Sequence, residues 1–230
     1  MTVITKRKPG LTGNQLKLIA LAAMTADHIG VQLFPQVLLL RMIGRLALPI
    51  FAYMIAQGCR YTHSKRRYLA TIAAVALVCQ IVYFFAMGSL YQCILVTFSL
   101  SILLIFSLDA ARKRPNFVNL AMAVLAFLSV WLISDMLPRY LPGFYVDYGF
   151  FGILLPVLIW FGKGKWQSIG LCGIGLVLLS LGNTIQWFSL LTLPILALYN
   201  GKRGKAKLKY LFYIYYPAHL ALIYLISLVI

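Results

Sequence analysis

The sequence predicts an all-α fold: a polytopic transmembrane helical bundle of about nine spans, N-terminus cytoplasmic, in one membrane-embedded domain over residues 1–230. Three observations carry this reading. The chain is 62% hydrophobic with mean hydropathy +0.90, well above the roughly 45–50% apolar content of soluble domains. Apolar stretches of about 17–23 residues recur along its whole length, each long enough to cross a ~30 Å hydrocarbon layer. The basic residues fall in alternate connections, as the positive-inside rule requires.

The first span, 16–34, follows a polar lead and has no A-x-A exit, so no cleavable signal is expected. The second, 38–58, runs back and carries Arg41 and Arg45. The third, 68–87, starts after Lys65, Arg66 and Arg67, and the fourth covers 90–108. The fifth, 117–137, follows Arg112, Lys113 and Arg114. The sixth covers 146–162. The seventh and eighth, 167–182 and 184–200, are short and parted by little more than Gly182 and Asn183, so a hairpin that does not fully cross is the alternative there. The ninth, 208–229, leaves the C-terminus outside.

In this arrangement 18 of the 21 Lys and Arg residues are cytoplasmic, and only Arg41, Arg45 and Arg139 lie on the outer side. Orientation in the membrane thus accounts for the +17 charge without nucleic acid as a partner. Cys59, Cys79, Cys93 and Cys172 show no CxxC pair or metal-ligand spacing, so buried thiols are expected, with no disulfide and no metal.

Acids are scarce: Asp27, Asp109, Asp135 and Asp147 are the full set. At 1.5 Å per residue, His28 and Gln80 lie ~18 Å from the inner ends of their spans, His219 ~16 Å and Arg45 ~20 Å, with Thr97 similar. Five spans therefore place polar groups in one layer. Ionisable groups in hydrocarbon cost at least ~2.5–3.5 kcal/mol each, so Asp27, His28, Arg45 and His219 together point to a functional cavity more than to incidental helix contacts. Asp27 and His28 are neighbours turned about 100° apart. Asp27 faces a different helix, and Arg45 on the next span is the favoured ion-pair partner. That leaves His28 for proton chemistry, with an ordinary pKa near neutrality. Asp135, Arg139, Tyr140, Tyr145, Asp147, Tyr148, Asn183 and Gln186 form a polar, aromatic outer rim. Asp147 there either orients a base, binds a substrate amine or is a solvated loop charge.

"LKLIALAAMTADHIG", "RMIGRLALPIFAYMIAQG", "DYGFFGILL", "LPILALYNGKRGK" and "YYPAHLALIYL", in this order, resemble the TraX family over nearly the whole chain. That resemblance implies a multispan protein of the bacterial cytoplasmic membrane. The family's archetype acetylates the N-terminus of conjugative pilin, and the family is similar to transmembrane acyltransferases that use acyl-coenzyme A. Carried over, its motifs fall on Asp27 and His28; on Gly44, Arg45 and Pro49; on Tyr148 and Gly149; and on His219 and Leu220. The implied activity is acyl transfer, acetyl first, from acyl-coenzyme A to an amine or hydroxyl at or beyond the outer half of the membrane. His28 is then the general base, while Arg45 stabilises charge or, paired with Asp27, shapes the site. Lys202, Arg203 and Lys205 suit the donor's phosphates, although the positive-inside rule explains them equally. Asp147, Tyr148, Gln186, Gln80 and Thr97 are the candidate substrate-binding residues, and the acceptor is a protein N-terminus, a glycan or a lipid. The alternative is a small proton-coupled transporter using Asp27, His28, Arg45 and His219 as a relay.

Overall fold

A computed structural model describes residues 10–206 and 208–229. Lys6, Arg7, Lys8 and Lys207, counted above among the cytoplasmic charges, lie outside the described residues. The described chain is helical, with two isolated backbone bridges, Leu11 to Tyr199 and Gln92 to Val146.

Helix α1 (Gly13–Gln32) starts with a capping box. The Thr12 hydroxyl accepts the Gln15 N–H, and the Thr12 N–H donates to Gln15 Oε1 at 2.9 Å. The next crossing is split into α2 (Leu38–Gly44) and α3 (Ala47–Tyr61). Pro49 explains the split: it has no N–H for the carbonyl of Arg45, four residues back, and its ring crowds that carbonyl. The chain therefore turns at Arg45 and Leu46, and Pro49 sits in the first turn of α3, where a missing donor costs nothing.

Helix α4 (Lys65–Met87) is capped by Ser64 and stopped by Gly88, at φ 60°. Helix α5 (Ile94–Lys113) follows, then α6 (Phe117–Trp131), capped by Asn116. Pro138 would interrupt α6, and the helix passes it through one π turn, Leu132–Met136, into α7 (Leu137–Tyr140). Helices α8 (Gly149–Phe161) and α9 (Lys165–Ser180) form a hairpin joined by Gly162, Lys163 and Gly164. After it come a 3₁₀ segment, Thr184–Leu191, then α10 (Thr192–Ala197) and α11 (Lys209–Ser227).

Among the described residues four stretches are long and apolar enough to cross a membrane: Leu38–Tyr61, Lys65–Phe85, Ile94–Lys113 and Phe117–Tyr140. The apolar helices Gly149–Phe161, Lys165–Ser180, Thr184–Ala197 and Ile214–Ser227 are shorter. The expected eighth span is therefore not one regular α-helix. Its 3₁₀ half rises ~2.0 Å per residue against 1.5 Å for α, so Thr184–Ala197 still reaches ~25 Å.

Helix α8 is central, packed against α3, α5 and α9, while α1 packs on α2, α3 and α11. The core between them is filled by Leu16, Ile50, Ile102, Ile153, Ile159 and Leu176, all without solvent exposure. The outward faces of α4 and α6 are apolar, with Leu77, Phe85, Phe117 and Leu125 largely exposed. In water such faces would be an aggregation hazard; against lipid tails they are ordinary. All four cysteines are buried free thiols.

Candidate functional site

The two titratable neighbours on α1 face different helices, as their 100° offset requires. Asp27 faces α2. Its two carboxylate oxygens accept from Arg45 Nη2 at 2.6 and 2.7 Å, and Oδ1 also accepts from Arg41 Nε at 2.9 Å. Arg45 is 6% exposed, and its other amino group donates to Gln186 Oε1 at 3.3 Å. The Tyr148 ring centre lies 5.8 Å from its guanidinium carbon. One carboxylate thus faces two guanidinium groups, and the cluster carries surplus positive charge. Gly44 permits the approach, because a Cβ at that position would overlap the Asp27 side chain.

Arg41, expected on the outer side together with Arg45, is half-buried against Asp27. Its spacing from Arg45, four residues on one helical path, was the signal that places both on one face. Gln186 was expected at the outer rim, yet it is 2% exposed beside Arg45, with its Nε2 unpartnered among the described residues.

His28 faces α11. Its Nδ1 lies 2.8 Å from His219 Nε2, and His219 Nδ1 lies 2.8 Å from the Tyr215 carbonyl oxygen. These contacts fix the tautomers of the neutral pair. A carbonyl only accepts, so His219 Nδ1 carries its proton and His219 Nε2 has the lone pair. His28 must then donate from Nδ1, which leaves the lone pair of His28 on Nε2. His28 is half-buried. The two rings stack at 5.0 Å between centroids, and Tyr215 stacks on His219 at 5.1 Å. Tyr215 is held in turn by Thr25 on α1: the Thr25 hydroxyl donates to the Leu21 carbonyl and lies 2.7 Å from the Tyr215 hydroxyl. His28, left for proton chemistry by the Asp27–Arg45 pairing, is oriented by His219, 191 positions away.

The remaining candidates build a platform on the far side of Arg45. Tyr148 caps α8 at φ 58°, a left-handed conformation unusual for a bulky residue. Its loop is clamped from below. The Gln92 N–H donates to the Tyr145 carbonyl at 2.7 Å, the Asp147 N–H donates to the Gln92 carbonyl at 3.0 Å, and Thr97 Oγ1 donates to the Asp147 carbonyl at 2.8 Å. Tyr91 donates its hydroxyl proton to Asp147 Oδ1 at 2.5 Å. Of the two roles left open beside a solvated charge, neither includes Tyr91, and this contact makes Asp147 part of the loop's own structure. Gln80 bonds the Tyr91 carbonyl and the Cys93 N–H. The polar atoms of Gln80 and Thr97 are therefore engaged in holding the loop that presents Asp147 and Tyr148.

Lys202, Arg203 and Lys205 are exposed on the loop before α11. The carbonyls of Lys202 and Arg203 accept the N–H groups of Gly13 and Asn14 at 2.8 and 2.9 Å. Two donors that a helix start leaves open are thereby satisfied by the basic loop. This fixes the loop at the end of α1 opposite His28, ~22 Å away at helical rise.

The family described as TraX protein matches residues 12–227. The chain belongs to the TraX family. The match runs from the Thr12 cap of α1 to the last residue of α11, so both clusters lie inside it. With four stretches of membrane-crossing length and composition among the described residues, this TraX-family chain is a membrane protein. It is 26% identical over 242 residues to the probable fimbrial assembly protein FimC, serogroup H1, of Dichelobacter nodosus, covering 91% of this chain and 93% of that protein. An uncharacterized protein of Rickettsia prowazekii (strain Madrid E) is 50% identical over 38 residues, 16% of this chain and 15% of that one. No solved structure matches the chain.

Proposed function

We propose that this TraX-family protein is an acyltransferase of the bacterial cytoplasmic membrane that moves an acyl group, acetyl first, from acyl-coenzyme A to an amine or hydroxyl. The observation that carries the proposal is the tautomer-fixed His28–His219 pair beside a carboxylate with two guanidinium partners. His28 Nε2 accepts the proton of the acceptor as its nitrogen or oxygen attacks the thioester carbonyl. The negative charge that develops on the carbonyl oxygen is favoured by the surplus cation of the Arg41–Asp27–Arg45 cluster. Collapse breaks the carbon–sulfur bond, and the proton held on His28 passes to the departing thiolate. The new bond is an amide or an ester, and no acyl-enzyme is required.

The proposed topology has nine crossings with the N-terminus inside. It is supported by the contacts between loops: Lys65 pairs with Asp109, and Gly13 with the Lys202 carbonyl, each joining segments assigned to the cytoplasmic side. Gln92 with Tyr145 joins two assigned outside. The similarity to a fimbrial assembly protein makes the amino terminus of a surface-fibre subunit the first acceptor to test, ahead of glycans and lipids.

The test is transfer of labelled acetyl from acetyl-coenzyme A in membranes containing the protein, with mass spectrometry of surface-protein N-termini, glycans and lipids from cells with and without the gene. A product that depends on His28 supports the reading. Acetylation patterns that are identical in both cells would overturn it, and proton-coupled uptake dependent on His28 would favour the transporter alternative.

A further inference from the structure

At the end of the bundle assigned to the cytoplasm, a cavity of about 400 Å³ opens between α3, the α8–α9 connection and the turn at 199–201. That size is within the ~300–1,000 Å³ typical of small-molecule sites. Its charged lining is Arg60, Lys163 and Lys165, and no acid contributes to it. The described carboxylates are engaged elsewhere: Asp27 with Arg41 and Arg45, Asp109 with Lys65 and Lys113, Asp135 with Arg139, and Asp147 with Tyr91. Three cations concave around one space with no countercharge favour a polyanion.

These cations are held at different degrees of readiness. Arg60 Nη2 donates to the carbonyls of Ile159, Trp160 and Gly162 and is thereby anchored at the end of α8. Lys165 Nζ donates to the Ala197 carbonyl at 2.5 Å. Lys163 is exposed, with no side-chain partner among the described residues. The first turn of α9, which has no side-chain cap, adds the positive end of its dipole. The uncharged lining combines three tyrosines, Tyr53, Tyr61 and Tyr199, with the amides Gln57 and Asn200 and with glycines. Tyr53 lies at the base, 1% exposed, with its ring edge-on to Tyr199 at 5.9 Å, and Tyr61 is at the open rim.

Depth links this space to the reacting groups. Tyr53 is eight residues beyond Arg45 on one path, ~12 Å at helical rise. We infer that this cavity holds the phosphorylated nucleotide head of the acyl donor, its phosphates against Arg60, Lys163 and Lys165 and its base against the tyrosines, with the flexible arm directed toward His28. The inference rests on the acyltransferase reading and moves the donor's head from the exposed Lys202–Lys205 loop to the adjoining cavity. Phosphate alone does not single out the nucleotide, since an anionic lipid headgroup presents the same chemistry; the tyrosine lining decides for a base.

The test is the thermal shift of the full chain in phosphate-free detergent, titrated with coenzyme A, dephospho-coenzyme A and phosphatidylglycerol. Coenzyme A is expected to stabilise the protein, Lys163→Glu to weaken its apparent affinity at least tenfold, and Tyr199→Ala to weaken it as well. Lys163→Arg is expected to restore binding, which separates charge from folding. Coenzyme A binding that is unchanged in Lys163→Glu and Tyr199→Ala would overturn the location and leave the acyltransferase reading standing. Wild-type protein that binds no coenzyme A would overturn the donor reading itself. Binding of phosphatidylglycerol that displaces coenzyme A and is lost in Lys163→Glu would make this a lipid-headgroup site and overturn the inference.

Discussion

Replacing Asp27 by Ala leaves two guanidinium groups facing each other. Arg45 suffers most, because its two short bonds go to that carboxylate and its remaining side-chain partners, Gln186 and the Tyr148 ring, are uncharged. Removing one partner of a buried ion pair costs about 3–5 kcal/mol. The Arg41 bond adds little, about 0–1 kcal/mol, because that side chain is 33% exposed. At about 2–4 °C per kcal/mol for a chain of this size, the melting temperature should fall by about 6–20 °C. Arg45→Ala should cost less, since Asp27 retains Arg41. The double variant should be more stable than Asp27→Ala alone, because no buried cation is stranded. The assay is a double-mutant cycle by thermal melting in one detergent. Additive effects, or an Arg45→Ala loss equal to that of Asp27→Ala, would refute the asymmetry argued from Arg41.

His28→Ala leaves the buried His219 Nε2 without its donor, which costs about 1–3 kcal/mol, and should lower acyl transfer by about 10²–10⁴-fold, the usual contribution of a general base; full turnover in this variant would remove His28 from the proposed chemistry. His219→Gln keeps an acceptor for the His28 Nδ1 proton and should retain more transfer than His219→Ala, which rates measured on both variants would decide. Gly44→Ala should destabilise the protein and weaken the Asp27–Arg45 coupling in the same melting cycle, because its Cβ would occupy the space of the carboxylate. A reporter fused after Lys205 should read as cytoplasmic and one fused after Val229 as external, and a cytoplasmic reading at Val229 would remove one crossing.

The ion pair was legible in the sequence because acids are so few that Asp27 needed a countercharge, and helical rise placed Arg45 at its depth. Arg41 as a second partner was not, because matching depth drew the pairing to Arg45 alone, one helical turn further along the same span. The split at Arg45 and Leu46 was written in Pro49, but the span reads as continuous by hydropathy. Hydropathy also ran one apolar segment from 184 to 200, since it does not distinguish a 3₁₀ rise from an α rise. The His28–His219 hydrogen bond was visible only as a shared depth; which helix α1 touches is a property of packing. The α3, α8–α9 and 199–201 lining of the basic cavity comes from three segments that are remote in sequence and individually read as ordinary inner-face loops.

The order in which α1 finds its partners has a consequence for biosynthesis. The carboxylate of Asp27 meets its guanidinium groups on the very next segment, so a helical hairpin leaving the translocon carries charge and countercharge together. His28 enters without any such companion and is tolerable to lipid only as the neutral ring. Its hydrogen-bond partner is on α11, the last of the described helices, and the start of α1 is closed by carbonyls of residues 202 and 203 just before it. A chain arrested anywhere before α11 therefore contains the electrostatic half of the site and lacks the oriented imidazole. In the proposed chemistry the His28–His219 pair therefore exists only once α11 has been made, and synthesis interrupted earlier leaves a membrane fragment without it.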